Sequence, residues 1–202
     1  MNSNEIIFSL NFQEKIIVSL KDPLTLVGWN DNEPILLLYN NNTITLANSP
    51  IYFNIKDFQN LLKKALNNEL LLDKTIILDI GFIFNEYYYK ASQIPTGNLQ
   101  KQNPLLIEKY HLWEAHENKA SYVTWIYNNH DENIIFEVTP SYPYFYCDKK
   151  KEPSYISYEK WITTYKPYFI AELSHATAQQ WLDQAEYIVK TVDDNIIRWK
   201  KK

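Results

Sequence analysis

Hydrophobic and polar residues alternate at the start of the chain. Ile6, Phe8, Leu10 and Phe12 fall on one side of an extended segment, and Ile16, Val18 and Leu20 repeat the pattern, as a half-buried strand requires. Asp22-Pro23 interrupts the run. The segment EPILLLYNNNTITLAN predicts a hairpin with strands at 35–39 and 43–47 around Asn40-Asn41-Asn42, because Asn tolerates the left-handed backbone of a tight turn.

The period then lengthens. Ile55, Phe58, Leu61, Leu62, Ala65 and Leu66 share one helical face over 55–67, with Asn54 as the expected N-cap and Asp57 in the first turn. The run 74–91, KTIILDIGFIFNEYYYKA, is rich in β-branched and aromatic residues and reads as strand, bent at Gly81. Residues 92–104 carry two prolines and a glycine and read as a loop, either a sub-boundary or a long connection within a single domain spanning 1–202. Residues 105–115 read as strand. SYVTWIYN and NIIFEVTP predict a second hairpin, with Val123, Trp125 and Tyr127 facing Ile134, Phe136 and Val138. Ser157 is the expected cap of a short helix that Pro167 stops, and 167–173 then runs extended. Thr177 and Gln180 fit a capping box opening a helix over 178–199, whose buried face holds Trp181, Leu182, Ala185, Ile188, Val189, Val192 and Ile196. Hairpins with few helices between them predict an α+β fold: an antiparallel sheet with helices packed on it and a long C-terminal helix.

Composition narrows the function classes. Nineteen lysines stand against one arginine, Arg198, and the net charge is −4. That balance disfavours a general nucleic-acid binder, which needs a basic face and draws on Arg for bidentate contacts. An acidic protein suits a basic partner. The abundance of Lys, Asn, Ile and Tyr follows AT-rich codon usage as well as chemistry. One cysteine, Cys147, offers no internal disulfide, and no stretch is apolar for the eighteen residues of a membrane span. With no basic, then apolar, opening segment, the expected location is cytoplasmic.

Chemistry-bearing motifs are sparse. Three glycines, at 28, 81 and 97, build neither a dinucleotide fingerprint nor a phosphate loop, and GxSxG is missing. His111 and His116 are five apart, without metal-ligand spacing on a helix or strand, although a site assembled with Glu114 and Glu117 in three dimensions stays open. Cys147 has no neighbouring feature that would make it a nucleophile. Asp79, in an apolar run, needs a partner, with a backbone amide or lysine expected and a perturbed pKa to be looked for. No catalytic residue, metal ligand or cofactor is expected. Two surfaces remain as partner-binding candidates. Tyr142, Tyr144 and Tyr146 alternate on an expected strand within the aromatic and lysine-rich block 141–161; turned inward they are core, turned outward a contact surface. Asp183, Glu186, Asp193 and Asp194 share one broad side of the last helix.

Three pieces, VGWNDNEPILLLYNNNTITL (27–46), IYFNIKDFQNLLKKAL (51–66) and YEKWITTYKPYFIAELSHATAQQWLDQAEYIVKTV (158–192), resemble small immunity proteins of bacterial polymorphic-toxin systems, including contact-dependent growth inhibition. The resemblance implies stoichiometric, non-catalytic neutralisation of a cognate toxin domain, a basic nuclease being one such partner. An enzyme whose site forms only in the fold, and a nucleic-acid-binding accessory protein of a mobile element, are the alternatives.

Overall fold

A computed structural model describes residues 5–11, 13–20, 33–76, 79–93, 106–117, 120–145 and 153–200. The expected α+β architecture is present. Two four-stranded antiparallel meanders are formed: β1 (Glu5–Ser9), β2 (Lys15–Ser19), β3 (Ile35–Tyr39) and β4 (Asn42–Ala47), then β5 (His111–Glu117), β6 (Ala120–Asn128), β7 (Ile134–Ser141) and β8 (Phe169–Leu173). The helices are α1 (Ile51–Leu66), α2 (Ile80–Ser92), α3 (Tyr158–Ile162) and α4 (His175–Lys200).

In the first sheet the alternation read from the sequence becomes a cross-strand row. Phe8, Ile16, Leu37 and Ile44 are aligned neighbours, and all four are buried. The β3–β4 turn is shorter than expected. Tyr39 pairs with Asn42, so Asn40 and Asn41 alone turn the chain, both at positive φ (48° and 59°), the conformation of a two-residue hairpin. Helix α1 begins at Ile51 after Pro50, not at 55, and Asn54 lies inside it. There Asn54 reaches backward: its Nδ2 donates to the Ser49 carbonyl and its Oδ1 accepts from the Ser49 hydroxyl, both at 2.9 Å. Helix α4 starts a turn earlier than expected, because Ser174 rather than Thr177 is the cap; its Oγ accepts from the Thr177 amide at 3.0 Å. Ser157 caps α3 as expected, accepting from the Lys160 amide.

Aromatic rings join the layers. Phe58 on α1 meets Phe8 of the first sheet (5.2 Å between centroids) and Trp113 of the second (5.1 Å). Trp181 on α4 meets Phe8 (6.1 Å), Phe58 (5.7 Å) and Phe136 (5.8 Å). Each indole N–H finds a carbonyl, Trp181 on Ser9 and Trp113 on Asn54.

The second sheet is covered on both faces, which changes its register from the one expected. Trp125 pairs with Glu137, Tyr127 with Ile135 and Val123 with Thr139. Ile134, Phe136 and Val138 therefore lie beside Asn128, Ile126 and Thr124 on the α1/α4 face. Two buried faces erase the alternation that would have fixed the register by sequence.

The covering layer on the other face is α2, where a bent strand was expected. Its strand-like composition is outweighed by an N-cap, Asp79, whose carboxylate accepts from the Phe82 amide at 2.9 Å, and by burial of Ile80, Phe84 and Ala91 at helical spacing. Asn85 fastens α2 to the sheet. Its Nδ2 donates to the Pro140 carbonyl (2.9 Å) and its Oδ1 accepts from the Tyr142 amide (2.6 Å). Gly81 lets the helix approach so closely that a Cβ there would collide with Thr139 and the Tyr165 hydroxyl. In an open helix Gly→Ala stabilises. Here Gly81→Ala is expected to destabilise by ~1–3 kcal/mol, as overpacked sites do, and the sign of the shift in urea midpoint checks it.

Candidate functional site

The two surfaces expected from sequence are differently placed. β7 ends at Ser141: β8 no longer pairs beyond Val138, Pro140 and Pro143 cannot donate to a ladder, and 143–145 form a turn. Tyr142 points inward, 2% exposed, with its hydroxyl donating to the Ile156 carbonyl at 2.7 Å. Its ring is ringed by Tyr144, Phe145, Tyr158 and Trp161. Tyr144 is half-buried and donates to the Ser154 carbonyl at 2.9 Å. Tyr142 is thus core and presents no contact surface; Tyr146, Cys147 and the triple lysine lie outside the described residues. The block closes on the tyrosines of α2, with Tyr89 stacked on Tyr158 at 4.0 Å.

The acids of α4 divide. Glu186 pairs with Lys63 of α1 at 2.7 Å, which holds its carboxyl below the usual range, and Asp193 accepts from the Tyr52 hydroxyl at 3.0 Å. Those two lash α4 to α1. Asp183, which accepts from Gln179, and Asp194 face solvent beside Tyr187, 65% exposed. Glu186 and Asp193 are thus half-buried at the α1 seam, while Asp183 and Asp194 are exposed.

What the fold assembles instead is a cleft of about 400 Å³. Its walls are the C-terminal end of α1 (Ala65, Leu66, Asn68), the β6–β7 turn (Asp131 to Ile134) and the β8–α4 junction (Glu172 to His175). Three carboxylates, Asp131, Glu132 and Glu172, line it, with no lysine or arginine among the lining residues. The negative end of the α1 dipole adds to that field. Buried Asn128 ties two of the walls, the end of α1 and the β6–β7 turn: its Nδ2 faces the Ala65 carbonyl (2.9 Å), Asn68 Oδ1 (3.1 Å) and the Glu132 carbonyl (3.4 Å). The turn is a three-residue hairpin loop, closed by Asn129 N–H to the Asn133 carbonyl at 2.9 Å. Its last loop position needs a left-handed backbone and usually takes glycine. Glu132 stands there, at φ 65°. The sequence signalled only a polar turn, because a cleft made by residues 65–68, 131–134 and 172–175 has no local pattern.

A second cluster lies on the other face of the same sheet. Glu137 is 2% exposed, and its Oε2 accepts from the Tyr127 hydroxyl at 2.7 Å. Asp79, the α2 cap, accepts from the Tyr165 hydroxyl. Burial first, then the charge of Asp79, push the Glu137 carboxyl up to about 8; the Tyr127 hydrogen bond opposes this, and a hydrogen bond to Asp79 adds to it. Glu137 Oε1 is buried without a hydrogen-bond partner, so an ionised carboxylate there would be left uncompensated. Burial and the same acids push the Tyr127 and Tyr165 hydroxyls up. The expected amide partner of Asp79 is present; the perturbed carboxyl is its neighbour Glu137.

Burial pushes the His111 imidazole down, toward the neutral form. His116 pairs with Glu114 at 3.2 Å and meets the Ser121 hydroxyl through Nδ1 at 3.0 Å. Among the described residues no group of three His, Cys, Asp or Glu side chains could hold a metal ion, and no helix is long and apolar enough to cross a membrane.

Glu137 generates a pH dependence. Its folded pKa of about 8 lies above the ordinary 4.5, so the folded state binds the extra proton and stability falls as pH rises through that window, levelling above it. Glu137→Gln keeps a neutral hydrogen-bonding group. The variant is expected to match the wild type near pH 4.5 and exceed it by ~2 kcal/mol or more at pH 8, read from urea unfolding across the window. No protein-family model matches the chain, and neither a curated protein nor a solved structure matches it.

Proposed function

We propose that the chain is an immunity-type binding protein, which neutralises a cognate bacterial toxin domain by stoichiometric association in the cytoplasm of the producing cell. The acid-lined cleft carries this reading. Three carboxylates converge on an open concavity whose lining holds no lysine or arginine. Such a field selects a basic partner and speeds its encounter. Glu132 keeps its carboxylate at the rim although its backbone conformation costs about 1 kcal/mol that glycine would not incur. Strain kept in a charged residue at a cleft is a mark of function rather than of folding.

The rival reading, an acid–base enzyme, has the Glu137 carboxyl in its favour and its 2% exposure against it. The nucleic-acid reading has the net charge of −4 against it, and Tyr142, which packs inward, adds nothing to a stacking surface.

The test first asks whether an adjoining reading frame encodes a toxin domain, and then titrates that domain against this chain. One-to-one association is expected, with an on-rate that falls as salt rises. No association at micromolar concentration overturns the reading. Glu132→Gly is expected to stabilise the fold by about 1 kcal/mol and to weaken the complex, as measured by urea unfolding and calorimetric titration. A variant that is more stable and binds equally well removes the cleft from the interface.

A further inference from the structure

Sheet edges are adhesive, because a terminal strand leaves one row of N–H and C=O groups without a ladder. Edge strand β1 is blunted by α4: Trp181 Nε1 donates to the Ser9 carbonyl at 3.0 Å and Gln184 Nε2 to the Ile7 carbonyl at 3.2 Å. Strands β4 and β5 lie against each other, with Trp113 of β5 tied to α1. β8 differs. It pairs with β7 over its whole length without a register break, and among the described residues no hydrogen bond reaches its other edge. Phe169–Leu173 contains no lysine, no proline and no bulge; its protections are its five-residue length and the charge of Glu172. Its buried residues Phe169 and Leu173 alternate with exposed Ile170 (56%) and Glu172.

We propose that the open edge of β8 is an interaction surface that receives an extended, lysine- or arginine-bearing segment of the partner as a ninth strand. The identity of that partner rests on the immunity-type reading; the strand site does not. Main-chain hydrogen bonds supply the affinity of such an addition, and alternate side chains supply its specificity. On the exposed face the incoming strand meets Ile170 and then, two residues on, Glu172, so it needs an apolar residue followed at the same spacing by a cation. Glu172 also lines the acid cleft, together with Asp131 and Glu132. Charge disfavours a second copy of this chain as the occupant in two registers: two-fold pairing centred on Ala171 sets each Ile170 opposite a Glu172, and pairing centred on Glu172 sets carboxylate against carboxylate. Pairing centred on Ile170 sets it against Ile170 of the second copy, and sedimentation decides that register.

The probe is a capped heptapeptide with one Val and two Lys at alternate positions and Thr between them, alongside its Glu-for-Lys counterpart. Both are titrated into the ¹⁵N-labelled full chain. The Lys peptide, not the Glu peptide, is expected to shift the amides of 169–173 and slow their hydrogen exchange. Glu172→Lys, at an exposed position, is expected to weaken the Lys peptide about tenfold or more and to admit the Glu peptide. Proline at 170 and at 171 serves as a second probe, because neighbouring amides point to opposite edges. One of these variants loses the ladder to β7; the other stays folded and loses the peptide. Shifts confined to 131–134 and 174–175, without slowed exchange in β8, overturn the strand site and leave the cleft standing. A dimer in sedimentation that Ile170→Lys dissolves overturns it in favour of a second copy. Peptide seated on β8 while the toxin domain fails to bind overturns the immunity-type reading alone.

Discussion

Phe58 and Trp181 decide how this chain is put together. A four-stranded meander has one apolar face to bury and cannot bury it against itself. Here two such sheets must be satisfied by one pair of helices. Phe58 touches a ring from each sheet, and Trp181 does the same while contacting Phe58. Edge-to-face rings bring large buried areas and a preferred geometry. Their indole donors then fix depth, since the Trp181 and Trp113 N–H groups each need a carbonyl in a dry site. The Lys63–Glu186 and Tyr52–Asp193 contacts at the α1–α4 seam are secondary: they lie nearer the surface, where such pairs contribute little.

With α1 and α4 on one face of the second sheet, its other face needs a cover of its own. That requirement converts 80–92 from apparent strand into helix and brings Asp79 against Glu137. Burial and the nearby charge of Asp79 both disfavour the ionised form of Glu137. The chemistry of this pair is a consequence of closing the layer. The acid cleft has a different origin. It lies where α1 ends, where β6 turns into β7 and where β8 passes into α4, and Asn128 ties the first two together from inside. Elements end there, and ends leave charge and backbone exposed to a partner.

The segments read correctly share one property: a single face was buried. The alternation of Ile6, Phe8, Ile16 and Val18, the turn-forming asparagines at 40 and 41, and the apolar stripes of α1 and α4 all record a one-sided environment. The capping errors were local contests between neighbours, Pro50 over Asn54 and Ser174 over Thr177, shifting each start by a few residues. The segments misread were two-sided. The 121–140 hairpin is apolar on both faces, so its register could slip by one without offence to the pattern. The run 74–91 reads as strand because Phe, Ile and Tyr favour one, although Asp79 as cap and the Ile80, Phe84, Ala91 spacing point to the helix Ile80–Ser92.

The sequence by itself determined the fold class, the first hairpin, the two long amphipathic helices and the acidic balance, since each is written in local period or composition. Tertiary structure alone decided which tyrosines face inward, which acids of α4 are spent on α1, and where charge gathers. Asn68, Glu132 and Glu172 are far apart in the chain and meet only because α1, the β6–β7 turn and β8 end at one place. No period in a sequence encodes the meeting of three ends.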